Sequence, residues 1–226
     1  MRIAEIYKSI QGEGQLTGTE STFVRASGCN LRCWFCDTPE TSWRPRGDHR
    51  DWEAVVEEVS ELECPHVVVT GGEPMLQPGV VPMTRALQDR GFVVTIETAG
   101  TVDAAVSADL MSVSPKLANS TPIDDPVWSA RHEETRDSAE VIQRWIENFD
   151  YQLKFVVDQS HDVADVERYI ERFPAVDPGR VWLMPQAVTS EQIAERAGWI
   201  REAAESRGWR VSPRLHIELW GNRPGT

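Results

Sequence analysis

The chain is short of positive charge: 23 Lys and Arg stand against 36 Asp and Glu, a formal net charge of −13, and no Lys/Arg cluster occurs along it. That balance argues against a phosphate-neutralising surface, so nucleic acid is not an expected partner. Long apolar runs are also missing. Val67-Val68-Val69 falls far below the roughly 18 residues of a membrane-spanning helix. Met1-Arg2-Ile3 leads straight into a strand-like segment without the apolar core of a signal peptide. A soluble, cytoplasmic protein without a membrane partner is expected. Cysteine is scarce, with four in 226 residues. In a reducing compartment four cysteines do not suggest a disulfide scaffold, and an apolar fraction of 40% is enough for a core without covalent staples. Metal or redox use is the better reading, because Cys29, Cys33 and Cys36 fall within eight residues and leave Cys64 alone beside Pro65.

What is present is a repeated alternation of apolar strand and amphipathic helix, with no linker dividing it. Residues 2–10 and 21–27 read as strands joined through the polar, glycine-rich Gln11-Gly12-Glu13-Gly14 connection. Asp51 is placed to cap a helix in which Trp52, Val55, Val56, Val59 and Leu62 share one face. Strands follow at 66–70, 92–97, 110–114, 151–157 and 181–185, and helices at 79–90, 103–108, 137–149, 162–172 and 190–207. Alternation of Leu215, His216 and Ile217 makes 214–219 a last strand, whereas 115–136, rich in Pro, Asp and Ser, reads as a long loop inserted in a single domain spanning 1–226. The sum is about six βα units. Continuous apolar strands suit a parallel sheet covered by helices, either doubly wound or a barrel, and both put ligand groups beyond the strands' C-terminal ends. Cys29–Thr38, Thr70–Pro74, Glu97–Gly100 and Ser114–Lys116 occupy such positions.

Thiolates at this spacing can converge on a soft metal centre. Structural zinc would want a fourth ligand, which Cys64 or His66 could supply only if the fold brought them near, and the site would then be closed. A [4Fe-4S] cluster on three thiolates would instead leave one iron open to a ligand, and the spacing favours this alternative.

With Trp34-Phe35 directly before the last cysteine, the run resembles the radical S-adenosylmethionine (SAM) superfamily, which implies a partial (β/α)6 TIM-like barrel, an α/β fold, and a cluster whose open iron takes the methionine moiety of SAM. Thr70-Gly71-Gly72-Glu73-Pro74 is similar to that superfamily's GGEP motif, and Ser114-Pro115-Lys116 to a ribose and carboxylate contact. The remaining motifs, from Ile3 to Gly14, Phe23-Val24-Arg25, Cys36-Asp37-Thr38, Glu97-Thr98-Ala99-Gly100 and Leu215-His216, resemble the 7-carboxy-7-deazaguanine synthases. That resemblance implies a lyase that converts 6-carboxy-5,6,7,8-tetrahydropterin to 7-carboxy-7-deazaguanine with loss of ammonia, on the way to queuosine and related 7-deazapurines. It implies Mg²⁺, a homodimer and a flavodoxin-like electron donor. A glycyl-radical activase acting on a protein partner would share the cysteines and the GGEP motif, and a zinc-binding interaction module only the cysteines.

Residue by residue, the resemblance assigns Cys29, Cys33 and Cys36 to the cluster and Thr38 to Mg²⁺, for which a hydroxyl is a suitably hard ligand. It assigns SAM to Phe35, Asp37, Gly72, Glu73, Ser114, Lys116 and Gln186. It assigns the substrate to Ile10, Gln11, Gly12, Arg25, Thr70, Glu97 and His216. Arg25 offers a planar fork for a carboxylate, and Glu97 can accept from a guanine-like amino and ring N–H pair. No residue is assigned as an acid–base catalyst. The family's terminal substrate contact could fall to Pro224 or Thr226.

Overall fold

The computed structural model describes residues 1–223 and Gly225; Pro224 and Thr226, the candidates for a tail contact, lie outside the described residues. The strands are β1 (Arg2–Ile10), β2 (Glu20–Ala26), β3 (Asp48–His49), β4 (His66–Gly71), β5 (Val93–Thr98), β6 (Leu110–Val113), β7 (Tyr151–Val157), β8 (Val181–Pro185) and β9 (Arg210–Val211). The helices are α1 (Trp52–Glu61), α2 (Val80–Asp89), α3 (Pro126–Thr135), α4 (Ala139–Asn148), α5 (Asp162–Ile170), α6 (Ser190–Glu205) and α7 (Leu215–Trp220). All strands join one sheet in the order β3-β1-β2-β4-β5-β6-β7-β8-β9, whose two ends are not paired. From β2 to β9 every pairing is parallel. This is the expected open, partial barrel.

Pleating sends alternate residues to opposite faces. One face carries Val24, Val67, Val69, Val94, Ile96, Met111, Val113, Leu153, Phe155 and Leu183 into a core shared with Val55, Val59, Met83, Leu87, Trp145, Val166 and Ile200 of the helices. Each fully buried large side chain contributes roughly 1.5–3 kcal/mol. The concave face is polar near the strand tops, where Arg25 pairs in register with Thr70 and Glu97 with Ser112.

Five expectations are corrected. β1 runs antiparallel to β2, a direction that periodicity does not record. Residues 103–108 are not helical. The segment read as a loop contains α3, begun by Pro126 and capped by Asp125, whose Oδ1 accepts from Val127 N at 3.1 Å and Trp128 N at 3.0 Å. Residues 215–220 form α7 rather than a strand, with Ile217 buried and Leu215 N donating to Gly12 O at 2.9 Å. Asp51 precedes α1 as expected, but its side chain makes no capping hydrogen bond. No helix among the described residues is long and apolar enough to cross a membrane.

Candidate active site

Because β2, β4, β5, β6 and β8 are parallel, the segments that follow them rise at one end of the sheet. They surround a cavity of about 450 Å³. The cysteine loop after β2 is held by the turn after β4: Gly72 N donates to Ala26 O at 3.0 Å and Glu73 N to Gly28 O at 2.9 Å. A Cβ on Gly72 would stand 2.2 Å from Gly28 O, so this approach requires glycine. On its outer side the loop is clamped by the inserted segment. Trp34 donates through N to Ser120 O (3.1 Å) and through Nε1 to Asn119 O (2.7 Å), and Arg32 N donates to buried His132 Nδ1 at 3.3 Å.

Cys29, Cys33 and Cys36 all line the cavity. Burial pushes the Cys29 thiol up to about 11 and the Cys33 thiol up to about 12, and raises Cys36 as well. Thiolates there need a compensating cation, and a bound iron cluster supplies one while releasing their protons. The candidates for a fourth zinc ligand are engaged elsewhere. Cys64 Sγ donates to Glu20 O at 3.3 Å, and the His66 ring joins Ser21 Oγ at 2.6 Å and Thr95 Oγ1 at 2.8 Å. Among the described residues no three His, Cys, Asp or Glu side chains gather tightly enough to hold one ion. Three thiols lining one cavity, with Cys64 and His66 engaged elsewhere, suit a cluster held by three cysteines better than a four-ligand zinc.

The floor of the cavity comes from an unexpected direction. Since β1 is antiparallel, its following loop leaves from the opposite end of the sheet, then folds into the concave face. Gly14 N donates to Ser212 Oγ (2.9 Å) and Gln15 N to Gln152 Oε1 (2.9 Å), so Gln11, Gly12 and Glu13 reach the cavity from below. There Gln11 Nε2 donates to Glu97 Oε1 at 3.2 Å and Thr70 Oγ1 to Glu97 Oε2 at 2.8 Å. Arg25 Nε donates to Glu5 Oε1 at 2.6 Å and its Nη2 to Tyr7 Oη at 2.5 Å. A fork beside a carboxylate that accepts from neutral donors is suited to an anionic ligand carrying an amidine-like edge.

The sequence profile described as the Radical SAM superfamily matches residues 23–150. A curated 7-carboxy-7-deazaguanine synthase of Rhodopirellula baltica is 43% identical over 99% of this chain and 88% of its own length. One of Halobacterium salinarum is 39% identical over 99% of this chain and 92% of its own. The chain belongs to the 7-carboxy-7-deazaguanine synthase family of radical SAM enzymes. The solved structure of QueE from Escherichia coli has the same fold, with a TM-score of 0.73, 24% identity and coverage of 95% of this chain and 94% of that one.

Of the residues expected to serve this synthase family's chemistry, the cavity gathers Ile10, Gln11, Gly12, Arg25, the three cysteines, Phe35, Asp37, Thr38, Thr70, Gly72, Glu97, Ser114, Lys116, Gln186 and His216. Glu73 is the exception. It is fully buried, and its carboxylate accepts from Thr98 Oγ1 (2.8 and 2.9 Å), Ala99 N (2.9 Å) and Met75 N (3.1 Å), so it ties the β4 turn to β5 instead of facing the cavity. Lys116 Nζ donates to Ser114 O at 2.6 Å and Oγ at 2.7 Å, fixing that pair as one unit. Sequence reasoning missed a chain of charges whose centre, Lys154 and Arg214, is buried. Arg214 bridges Asp37 and Glu13, Glu13 accepts from Lys154 Nζ, and Lys154 lies 3.6 Å from Glu97. Burial disfavours the charged forms of Glu13, Lys154 and Arg214. Even so, Lys154 is held above the ordinary lysine range by Glu13 and Glu97, and Glu13 well below the carboxylate range by Lys154 and Arg214. The one sequence signal was a lysine in the middle of the apolar strand Leu153-Lys154-Phe155.

Proposed function

We propose that this chain converts 6-carboxy-5,6,7,8-tetrahydropterin to 7-carboxy-7-deazaguanine with loss of ammonia, as a ring-contracting lyase of 7-deazapurine and queuosine biosynthesis. The observation that carries the reading is that three thiols and the Gln11–Glu97–Thr70 unit face the same cavity. A [4Fe-4S] cluster on Cys29, Cys33 and Cys36, together with SAM, supplies the radical chemistry when bound. The protein's own part is placement. Glu97 accepts from the amino and ring N–H of the pterin, held in orientation by Thr70 and Gln11, while the Arg25 fork holds the substrate carboxylate. Phe35, Asp37, the Gly72 backbone, the Ser114–Lys116 unit and Gln186 form the SAM end, and Gly12 with His216 the floor beneath the pterin.

Mg²⁺ is assigned to Thr38, whose hydroxyl lines the cavity 3.9 Å from Cys36 Sγ. A hard cation there takes that oxygen and leaves the sulfur to iron. The same reading gives a cytoplasmic homodimer, one catalytic domain per chain, and a flavodoxin-like donor. The glycyl-radical activase alternative does not account for the Gln11–Glu97–Thr70 unit. An anaerobic incubation of reconstituted enzyme with SAM, a reductant, Mg²⁺ and the carboxypterin tests the reading: 7-carboxy-7-deazaguanine and ammonia in equal amounts are expected, and SAM cleavage without either would overturn it.

A further inference from the structure

Lys154 stands in the middle of β7 with 4% of its side chain exposed, between two core residues. An ammonium at such a place is costly unless compensated, and a methionine of similar volume would avoid that cost. Glu13 compensates it, and is itself held by Arg214 Nε at 3.2 Å. Glu97, however, is 3.6 Å away, beyond hydrogen-bond length, while that same Oε1 accepts from Gln11 instead. A lysine has three N–H donors, and among the described residues only Glu13 takes one. Lys154 therefore lines the cavity as a fixed cation with donors to spare, alongside Glu97, the carboxylate read as accepting a ligand's N–H pair.

We propose that Lys154 is a specificity-determining substrate contact: its ammonium donates to the ring carbonyl oxygen adjoining the N–H edge that Glu97 accepts. A 2-amino-4-oxo ring presents amino, N–H and carbonyl side by side. A carboxylate flanked by a cation matches that order of donors and acceptor, and Glu13 keeps the cation from closing onto Glu97 when the ligand is absent. The inference rests on the carboxypterin reading and adds a residue to it. A ligand without the carbonyl would leave a buried cation unanswered, which is how a polar site rejects an analogue.

The test is anaerobic equilibrium binding to cluster-loaded, SAM-bound enzyme of two ligands, 6-carboxytetrahydropterin and its analogue with the ring carbonyl oxygen replaced by sulfur. The analogue keeps the N–H but is a weak acceptor. Wild type should bind the oxygen ligand about 10- to 100-fold more tightly. Lys154→Met should bind the two about equally, with the whole loss on the oxygen ligand, and Lys154→Arg should restore part of the preference. Should Lys154→Met lose its fold on melting, the Lys154→Arg and Lys154→Gln pair gives the same comparison. Equal weakening of both ligands in the variants would make Lys154 a structural cation and overturn the inference, as would a wild type indifferent to the sulfur exchange. A wild type that binds neither ligand would overturn the carboxypterin reading, and the inference with it.

Discussion

Gly12 lies directly against the imidazole of His216: a Cβ built on Gly12 would stand 2.1 Å from His216 Nδ1. The contact joins the first loop to the last helix, and Leu215 N donates to Gly12 O beside it. Gly12→Ala must displace the His216 imidazole and presses on the α7 backbone at His216 N, 3.0 Å away, so a stability loss of about 1–3 kcal/mol is expected from overpacking. The floor of the proposed pterin end moves with it. Thermal melting should therefore fall together with a raised carboxypterin KM, and an unchanged melting curve would show that the helix yields freely.

Much of the fold was legible because strand and helix periods are local. The ranges expected for β1, β7 and β8 coincide with those found. Chain direction is not local, so the antiparallel β1 and the plunge of its loop into the barrel were hidden. In Leu215-His216-Ile217 a six-residue helix is too short to establish its period, and only docking against Gly12 and burial of Ile217 settle it. Asp125-Pro126 did carry a helix start, obscured by a composition that reads as loop. The site divides in the same way. Motif residues stood together in sequence, whereas Glu13, Lys154 and Arg214 meet only across separations of 141 and 201 residues.

The four cysteines should separate cleanly. Cys33→Ala is expected to abolish iron binding, since three thiolates are the minimum for the cluster. Cys64, 1% exposed and bonded to Glu20 O, should tolerate alanine at a cost of about 1 kcal/mol with iron content unchanged. Iron analysis after anaerobic reconstitution decides it: loss of iron in Cys64→Ala would indicate a four-cysteine site.

Buried His132 links the inserted segment to the cysteine loop. Its Nδ1 accepts from Arg32 N, so the ring proton sits on Nε2 and points to Ser120 Oγ at 2.8 Å. Burial pulls this histidine down to about 4. The unfolded chain takes up the proton near 6.5, so stability is full above that pH and falls as pH drops toward 4, by about 3 kcal/mol in all. Urea unfolding of the apoprotein at pH 7, 5.5 and 4.5 should show this decline in wild type and a shallower one in His132→Gln. Parallel declines would place the pH sensitivity in the carboxylates instead.

Arg25 is expected to act on substrate and leave SAM alone. Its guanidinium is anchored by Glu5 and Tyr7, which fixes its orientation toward the cavity. Arg25→Ala removes a charge-assisted contact of about 1.5–3 kcal/mol, so the carboxypterin KM should rise roughly 10- to 100-fold. Uncoupled SAM cleavage should continue at the wild-type rate, and a matching fall in that rate would move Arg25 from the substrate end to the SAM end.

Thr38 separates the proposed magnesium from the cluster. Its hydroxyl lies 3.9 Å from Cys36 Sγ and accepts from Thr41 Oγ1 at 3.3 Å, while Cys36 has a nearer partner in Ser42 Oγ at 3.1 Å. The cysteine loop thus does not depend on the Thr38 hydroxyl for its shape, and Thr38 O, which accepts from Thr41 N at 2.9 Å, is kept in any variant. Thr38→Ala should keep iron content and SAM affinity near wild type, because both involve groups the substitution leaves in place. Substrate placement should suffer, since a hard cation loses one oxygen ligand of its set. The expected signature is slower carboxypterin turnover whose dependence on added Mg²⁺ is blunted, while Thr38→Ser, which keeps the hydroxyl, stays close to wild type. If Thr38→Ala retains the full Mg²⁺ response, the metal binds elsewhere and Thr38 serves only the turn.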